Sequence, residues 1–377
     1  MSCTIATARR GASPLIGVRT DFGPILARVL RVPALALLAT LALTLGSVAP
    51  TTAAEKAIWG PVTMPDGTSA FPLYRQLGVD TFQIQLSFES AASSRPAQPR
   101  NPADPAYAWP PEIDQAIRAA RTNHIKVAIL VNRSPVWANG GRTGIWAPGP
   151  RAFRDFLTAA SRRYPAVRRW MVWGEPNRED RFQPNTGAGR RAPRAYARIL
   201  DAAYVGLKRA SRRNVVIGGM TWTGGQVRPA QFLRWLKMPS GRRPRLDWYG
   251  HNPFPFRRPR LRATVLSGGW RDISDMDVFS REVARAFPGR PRLWLSEFTI
   301  VSDKRSNVFQ LFLSQRQQAE WLAAAYRIAD ELPSIAGLGW LSLFDQPPAP
   351  GSANWGLLTH DGVRKPAFRA FRRALGQ

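Results

Sequence analysis

Two glutamates stand where a short apolar run gives way to a polar segment. Glu175 follows the run 167–172 in Trp173-Gly174-Glu175-Pro176-Asn177, and Glu297 closes Trp294-Leu295-Ser296 ahead of Phe298. A carboxylate carried by a strand end into a loop is placed for chemistry, because strand ends in an α/β scaffold collect on one face. Two such carboxylates are the minimum equipment for breaking a glycosidic bond, one handling the proton and the other the sugar carbon. Their separation sets the stereochemistry, about 5–5.5 Å for retention and about 6.5–9.5 Å for inversion. That distance has to come from the fold.

The elements that must supply it alternate between strand and helix. Strand-like runs occur at 58–60, 81–88, 126–131, 167–172, 214–220, 246–249, 293–300 and 337–344. Helical patterns occur at 71–77, 112–123, 153–164, 193–212, 230–237, 276–287, 314–332 and 366–375. Eight such units in about 320 residues predict an α/β fold, a (β/α)8 TIM barrel forming a single domain over 55–377. A doubly wound open sheet would carry a Gly-rich phosphate fingerprint in its first turn, and none is present. In this count the glutamates end strands four and seven, across the barrel mouth from each other. The Pro- and Ser-rich stretch 89–111 is long for a connection, and marks a functional loop or an insertion.

The first 54 residues have the form of a secretory leader. Arg28 and Arg31 precede the apolar run 34–45, and Thr52-Ala53-Ala54 offers a small-residue cleavage site. The run is shorter than the roughly 20 apolar residues of a membrane span. The expectation is a secreted protein, extracellular or in the periplasm or envelope, with no stable membrane insertion once the leader is removed. The only cysteine is Cys3, so the mature chain has no disulfide. With three histidines in all, no metal site and no cofactor is expected. The net charge is +29, with six lysines among the 54 basic residues. The arginines are spread over many helices, which argues against a nucleic-acid partner and for a GC-rich codon bias. Contact with an anionic glycan or the cell envelope stays open.

The motifs resemble those of a clan A retaining glycoside hydrolase, closest in pattern to the β-xylosidase and iduronidase-type family and its cellulase-like relatives. Trp173-Gly174-Glu175-Pro176-Asn177 resembles that family's strand-four motif, and Trp294 to Phe298 its strand-seven motif. Weaker similarities lie at Tyr107-Ala108-Trp109, Ser134 to Ala138, Gly250 to Phe254, Trp355-Gly356-Leu357 and Lys365-Pro366-Ala367, so that the likeness runs over 57–376. The resemblance implies that Glu175 is the general acid/base and Glu297 the nucleophile. It also exposes two departures. Gly174 stands where the family has an Asn that contacts the sugar, and Phe254 where it has a Tyr beside the nucleophile.

For substrate binding, Trp137, Trp173, Trp340 and Trp355 sit at or near strand ends and are candidate stacking platforms. His251 is a candidate donor to Glu297. Asn177 and Phe254 complete the set, with Asn177 expected to shape the loop behind Glu175. The arginines at 257–260 fall in a loop on the same face, solvated or binding an acidic sugar. The expected partner is a β-linked poly- or oligosaccharide. Two rival readings are a barrel that binds carbohydrate without turnover, motivated by Gly174 and Phe254, and a basic envelope protein that holds anionic polysaccharide.

Overall fold

A computed structural model describes residues 53–187 and 189–375. Apart from Ala53 and Ala54, the leader expected at 1–54 lies outside the described residues. Eight parallel strands close into a barrel: β1 (Glu55–Trp59), β2 (Thr81–Ser87), β3 (Lys126–Asn132), β4 (Arg169–Val172), β5 (Val215–Trp222), β6 (Trp248–Asn252), β7 (Leu293–Phe298) and β8 (Ile335–Leu341). Each pairs with its neighbours in chain order, and β8 pairs with β1. The expected (β/α)8 fold is therefore the observed one.

Side chains alternate across each strand, and this sorts the core in two. Ala57, Leu130, Met171, Ile217, Met220, Trp294 and Ala336 pack inside the barrel. Their neighbours Ile58, Ile129, Trp170, Val216, Leu293 and Leu295 face outward into the layer shared with the helices. Gly339 shows how tight the interior is. A Cβ there would lie 2.2 Å from the Ser296 carbonyl oxygen, so β8 turns a bare backbone inward and Trp340 outward. Gln83 bridges the interior, accepting from Trp294 Nε1 at 3.0 Å and donating to Ser296 O at 2.8 Å.

Helix limits follow local chemistry. Pro111–Thr122 begins with proline and carries Glu112 and Asp114 in its first turn, where negative charge offsets the helix dipole. Gln315–Glu331 starts from a Ser314–Gln317 capping box. Several strand limits differ from expectation by one to three residues, those of β1 and β8 among them. β1 starts at Glu55 rather than 58 because its charged residues are satisfied in place. Lys56 Nζ donates to Leu77 O and Arg372 O, and Glu55 accepts from Thr81 Oγ1 and Lys126 Nζ. β8 stops at Leu341, short of 344. Among the described residues no helix is long and apolar enough to cross a membrane.

Candidate active site

β4 ends at Val172, and the chain then takes two left-handed residues, Trp173 (φ 62°) and Glu175 (φ 51°). Such conformations cost a non-glycine residue on the order of 1–2 kcal/mol each and need outside support. It comes from both neighbouring strands. Trp173 N donates to Val131 O at 2.8 Å and Glu175 N to Met220 O at 2.9 Å. The result aims the Glu175 side chain into the barrel mouth. β7 brings Glu297 to the same place as its penultimate residue.

Both carboxylates line one cavity of about 200 Å³, with Gln85, Asn132, Gly174, Arg178, Arg181, Trp222, Phe254, Phe309 and Trp355 among its walls. Glu175 is gripped on both oxygens. Arg178 Nη1 donates to Oε2 at 3.0 Å and Asn252 Nδ2 to Oε1 at 3.2 Å. Asp180 fixes the guanidinium from behind, accepting from Arg178 Nε at 2.9 Å and Nη2 at 2.7 Å. Glu297 has fewer donors. Burial, and after it the Glu175 charge, push Glu297 up to about 8, against the pull of Arg181, Arg178 and an Asn252 hydrogen bond. Burial and the neighbouring carboxylate thus favour the protonated form of Glu297.

The expected sugar contacts divide. Phe254 and Trp355 reach the cavity, each against Phe309, at ring separations of 5.0 and 6.3 Å. The other candidates are engaged elsewhere. Trp137 donates its Nε1 to Ala92 O and packs edge-on against Phe88. Trp173 is buried between Phe153 and Phe182 and donates to Arg181 O. Trp340 faces outward against Phe298. His251 also faces outward, against Phe279. Its Nε2 lies 2.8 Å from Arg271 O, which only accepts, so Nε2 carries the proton and Nδ1 accepts from Thr221 Oγ1 at 2.8 Å. Burial holds it down to about 4, a neutral ring. Asn177 is a loop anchor rather than a sugar contact. Its Nδ2 donates to Trp222 O, Gly224 O and Val227 O, and its Oδ1 accepts from Trp222 N.

Among the residues of the site that were not sequence candidates are Asn252, Arg178, Trp222 and Phe309. For Asn252 a signal existed. Tyr249 packs outward, so His251 must too, and Asn252 must point in. No comparable rule reaches Arg178 or Phe309, which come from loops. Arg257 is bound to Asp272 and Asp275, so it does not await an acidic sugar. A larger groove of about 780 Å³ along Pro366–Arg373 is lined, among the described residues, by arginines and carries no carboxylate. Size alone does not locate the chemistry.

No protein-family model and no curated protein matches the chain. Solved structures do. A family 39 glycoside hydrolase from the gut symbiont Bacteroides cellulosilyticus WH2 superposes with a TM-score of 0.60 at 17% identity, over 84% of this chain and 62% of that one. The fold is that of the (β/α)8 glycoside hydrolases. A monomeric β-xylosidase from Caulobacter crescentus CB15 gives 0.58 at 18%, over 85% of this chain and 67% of its own. A glucosidase from Croceicoccus marinus gives 0.59 at 14%, over 85% and 68%. The barrel thus spans less than two thirds of the first of these relatives.

Proposed function

We propose that the barrel is a glycoside hydrolase acting on a β-linked poly- or oligosaccharide with retention, Glu175 and Glu297 being its catalytic pair. The observation that carries this is the delivery of two glutamates, from strands four and seven, to the walls of one small cavity. The leader at 1–54 adds export to the proposal. In the first step Glu175 protonates the departing oxygen while Glu297 attacks the sugar carbon. In the second, Glu175 takes a proton from water, which releases the sugar from Glu297.

These roles require a proton on Glu175 and an ionised Glu297 at the moment of attack, whereas burial favours the protonated form of Glu297. Substrate therefore has a task before chemistry. Its glycosidic oxygen must come to Glu175 Oε2, where Arg178 Nη1 now sits, and Glu297 must pass its proton across. A second reading is favoured by the raised Glu297, with Glu297 as the acid and Glu175, hydrogen-bonded by Arg178 and Asn252, as the nucleophile.

One experiment separates the two. Purified chain, Glu175→Ala and Glu297→Ala are assayed on aryl β-xyloside, glucoside, galactoside, arabinoside and glucuronide with added azide. With Glu175 as acid/base, Glu175→Ala yields the β-glycosyl azide and Glu297→Ala the α-glycosyl azide. The exchanged assignment swaps the two products. Turnover that survives both substitutions refutes the site, and no wild-type turnover on aryl or polymeric substrates leaves the carbohydrate-binding barrel.

A further inference from the structure

A second cleft of about 430 Å³ adjoins the cavity, lined by Arg178, Glu179, Asp180, Trp222, Gln226 and Arg228, with the backbone of Gly225. Arg178 and Trp222 wall both spaces. The cleft opens on the Glu175 side, since Arg178 is bonded to Glu175, and Glu297 does not line it. In a glycosidase the proton donor faces the departing oxygen, so the leaving group extends past that residue.

The platform there is built rather than incidental. Trp222 is half-buried, with one ring face under the Arg178 guanidinium at 4.8 Å. The loop that follows is held by the buried Asn177 through Trp222, Gly224 and Val227. Gly225 (φ +76°) passes so close that a Cβ would lie 2.3 Å from Asn177 Nδ2. The residue two places after Glu175 thus fixes an aromatic ring beside it. The charges around this ring balance. Arg178 and Arg228 face Glu179 and Asp180, two of each sign. A balanced rim of donors and acceptors beside an indole suits a neutral ring with hydroxyls and one apolar face, and gives an anion no net attraction.

We infer that this cleft is the leaving-group subsite and takes a neutral sugar stacked on Trp222, so that the substrate has a sugar on each side of the broken bond. This rests on the hydrolase reading above. The test uses the full chain with Trp222→Ala and Trp222→Phe. Xylobiose and cellobiose fill both spaces, while β-xylosyl and β-glucosyl fluoride place only fluoride in the cleft. Trp222→Ala is expected to lower kcat/KM on the disaccharide by roughly 10-fold or more, the equivalent of about 1.4 kcal/mol. Because Trp222 also walls the catalytic cavity, the fluoride is expected to lose activity too, but at least about threefold less than the disaccharide, and Trp222→Phe should recover most of the difference. Equal losses on both substrates, or none on the disaccharide, overturn the inference.

Calorimetric binding of xylobiose and cellobiose separates this inference from the hydrolase reading. If wild type turns nothing over, the hydrolase reading fails. The subsite survives only where a disaccharide binds Glu297→Gln and binding weakens in Trp222→Ala. Binding unchanged in Trp222→Ala, or no binding at all, removes the subsite.

Discussion

Replacing Glu297 by Gln is expected to stabilise the folded chain, and increasingly so as pH rises. In the folded molecule Glu297 keeps its proton up to about 8, whereas unfolded chain releases it near the ordinary value of 4.5. Between these values folded wild type binds the extra proton, so its stability falls as pH rises. Below 4.5 both states are protonated and the contribution is fully present. Above about 8 both are ionised and it has been lost. Gln does not titrate, so the advantage of the variant opens across this window. At about 1.4 kcal/mol per pH unit the gap from 4.5 to about 8 sets a ceiling of roughly 5 kcal/mol. Glu297 is half-buried and faces an open cavity, where water and an effective dielectric near 20 leave roughly 2 kcal/mol. With an unfolding entropy of about 2.1 cal/mol/K per residue, that is roughly 3 °C in Tm. Scanning calorimetry on wild type and Glu297→Gln at pH 4.5 and 8.5 measures it. A Tm difference that is the same at both pH values refutes the argument. Glu175→Gln, which removes the like charge, should also stabilise at pH 8.5, and the double variant should gain less than the sum.

Arg178→Gln removes a cation that holds Glu297 down, so the limb of the kcat/KM profile set by Glu297 should move up by roughly half to one pH unit, and a downward move contradicts the placement. Asn177→Ala strips four hydrogen bonds from the loop 222–227. At about 1 kcal/mol each, with some relaxation, it should cost roughly 3 kcal/mol in a urea titration, and a cost under about 1 kcal/mol denies Asn177 its anchoring role.

Strand periodicity made the barrel legible. Runs such as 126–131 are apolar on both faces because they lie between the interior and the helix layer. Glu175 and Glu297 were legible because each is a lone carboxylate at a strand end. Of the aromatic candidates Phe254 and Trp355 reach the cavity and Trp137, Trp173 and Trp340 do not, because composition says nothing of which way a ring turns. Trp340 lies beside Gly339, and only a bare glycine fits inward there. Trp173 lies outside the last turn of β4, where its ring is needed between Phe153 and Phe182. The cavity wall from Phe309 and Arg178 depends on loops whose path is set by long-range contacts, which no spacing rule encodes.

The segment from Trp173 to Arg178 ties these observations together. Trp173 and Glu175 are both left-handed, with Gly174 between them, so the carboxylate is aimed by strained backbone. Trp173 holds that strain by filling a core pocket and tying its Nε1 to Arg181 O, which returns the chain to the cavity where Arg181 lines the wall. Asn177 reaches across to β5 and sets Trp222, while Arg178 reaches back and donates to Glu175. One turn of chain therefore fixes the direction of Glu175, its ion pair and the aromatic ring beside it. Gly174 has a specific place in this arrangement. A Cβ there would lie 3.3 Å from Leu130 Cδ2, so the Asn that related enzymes are expected to carry would press on the barrel lining. Glycine leaves that lining undisturbed.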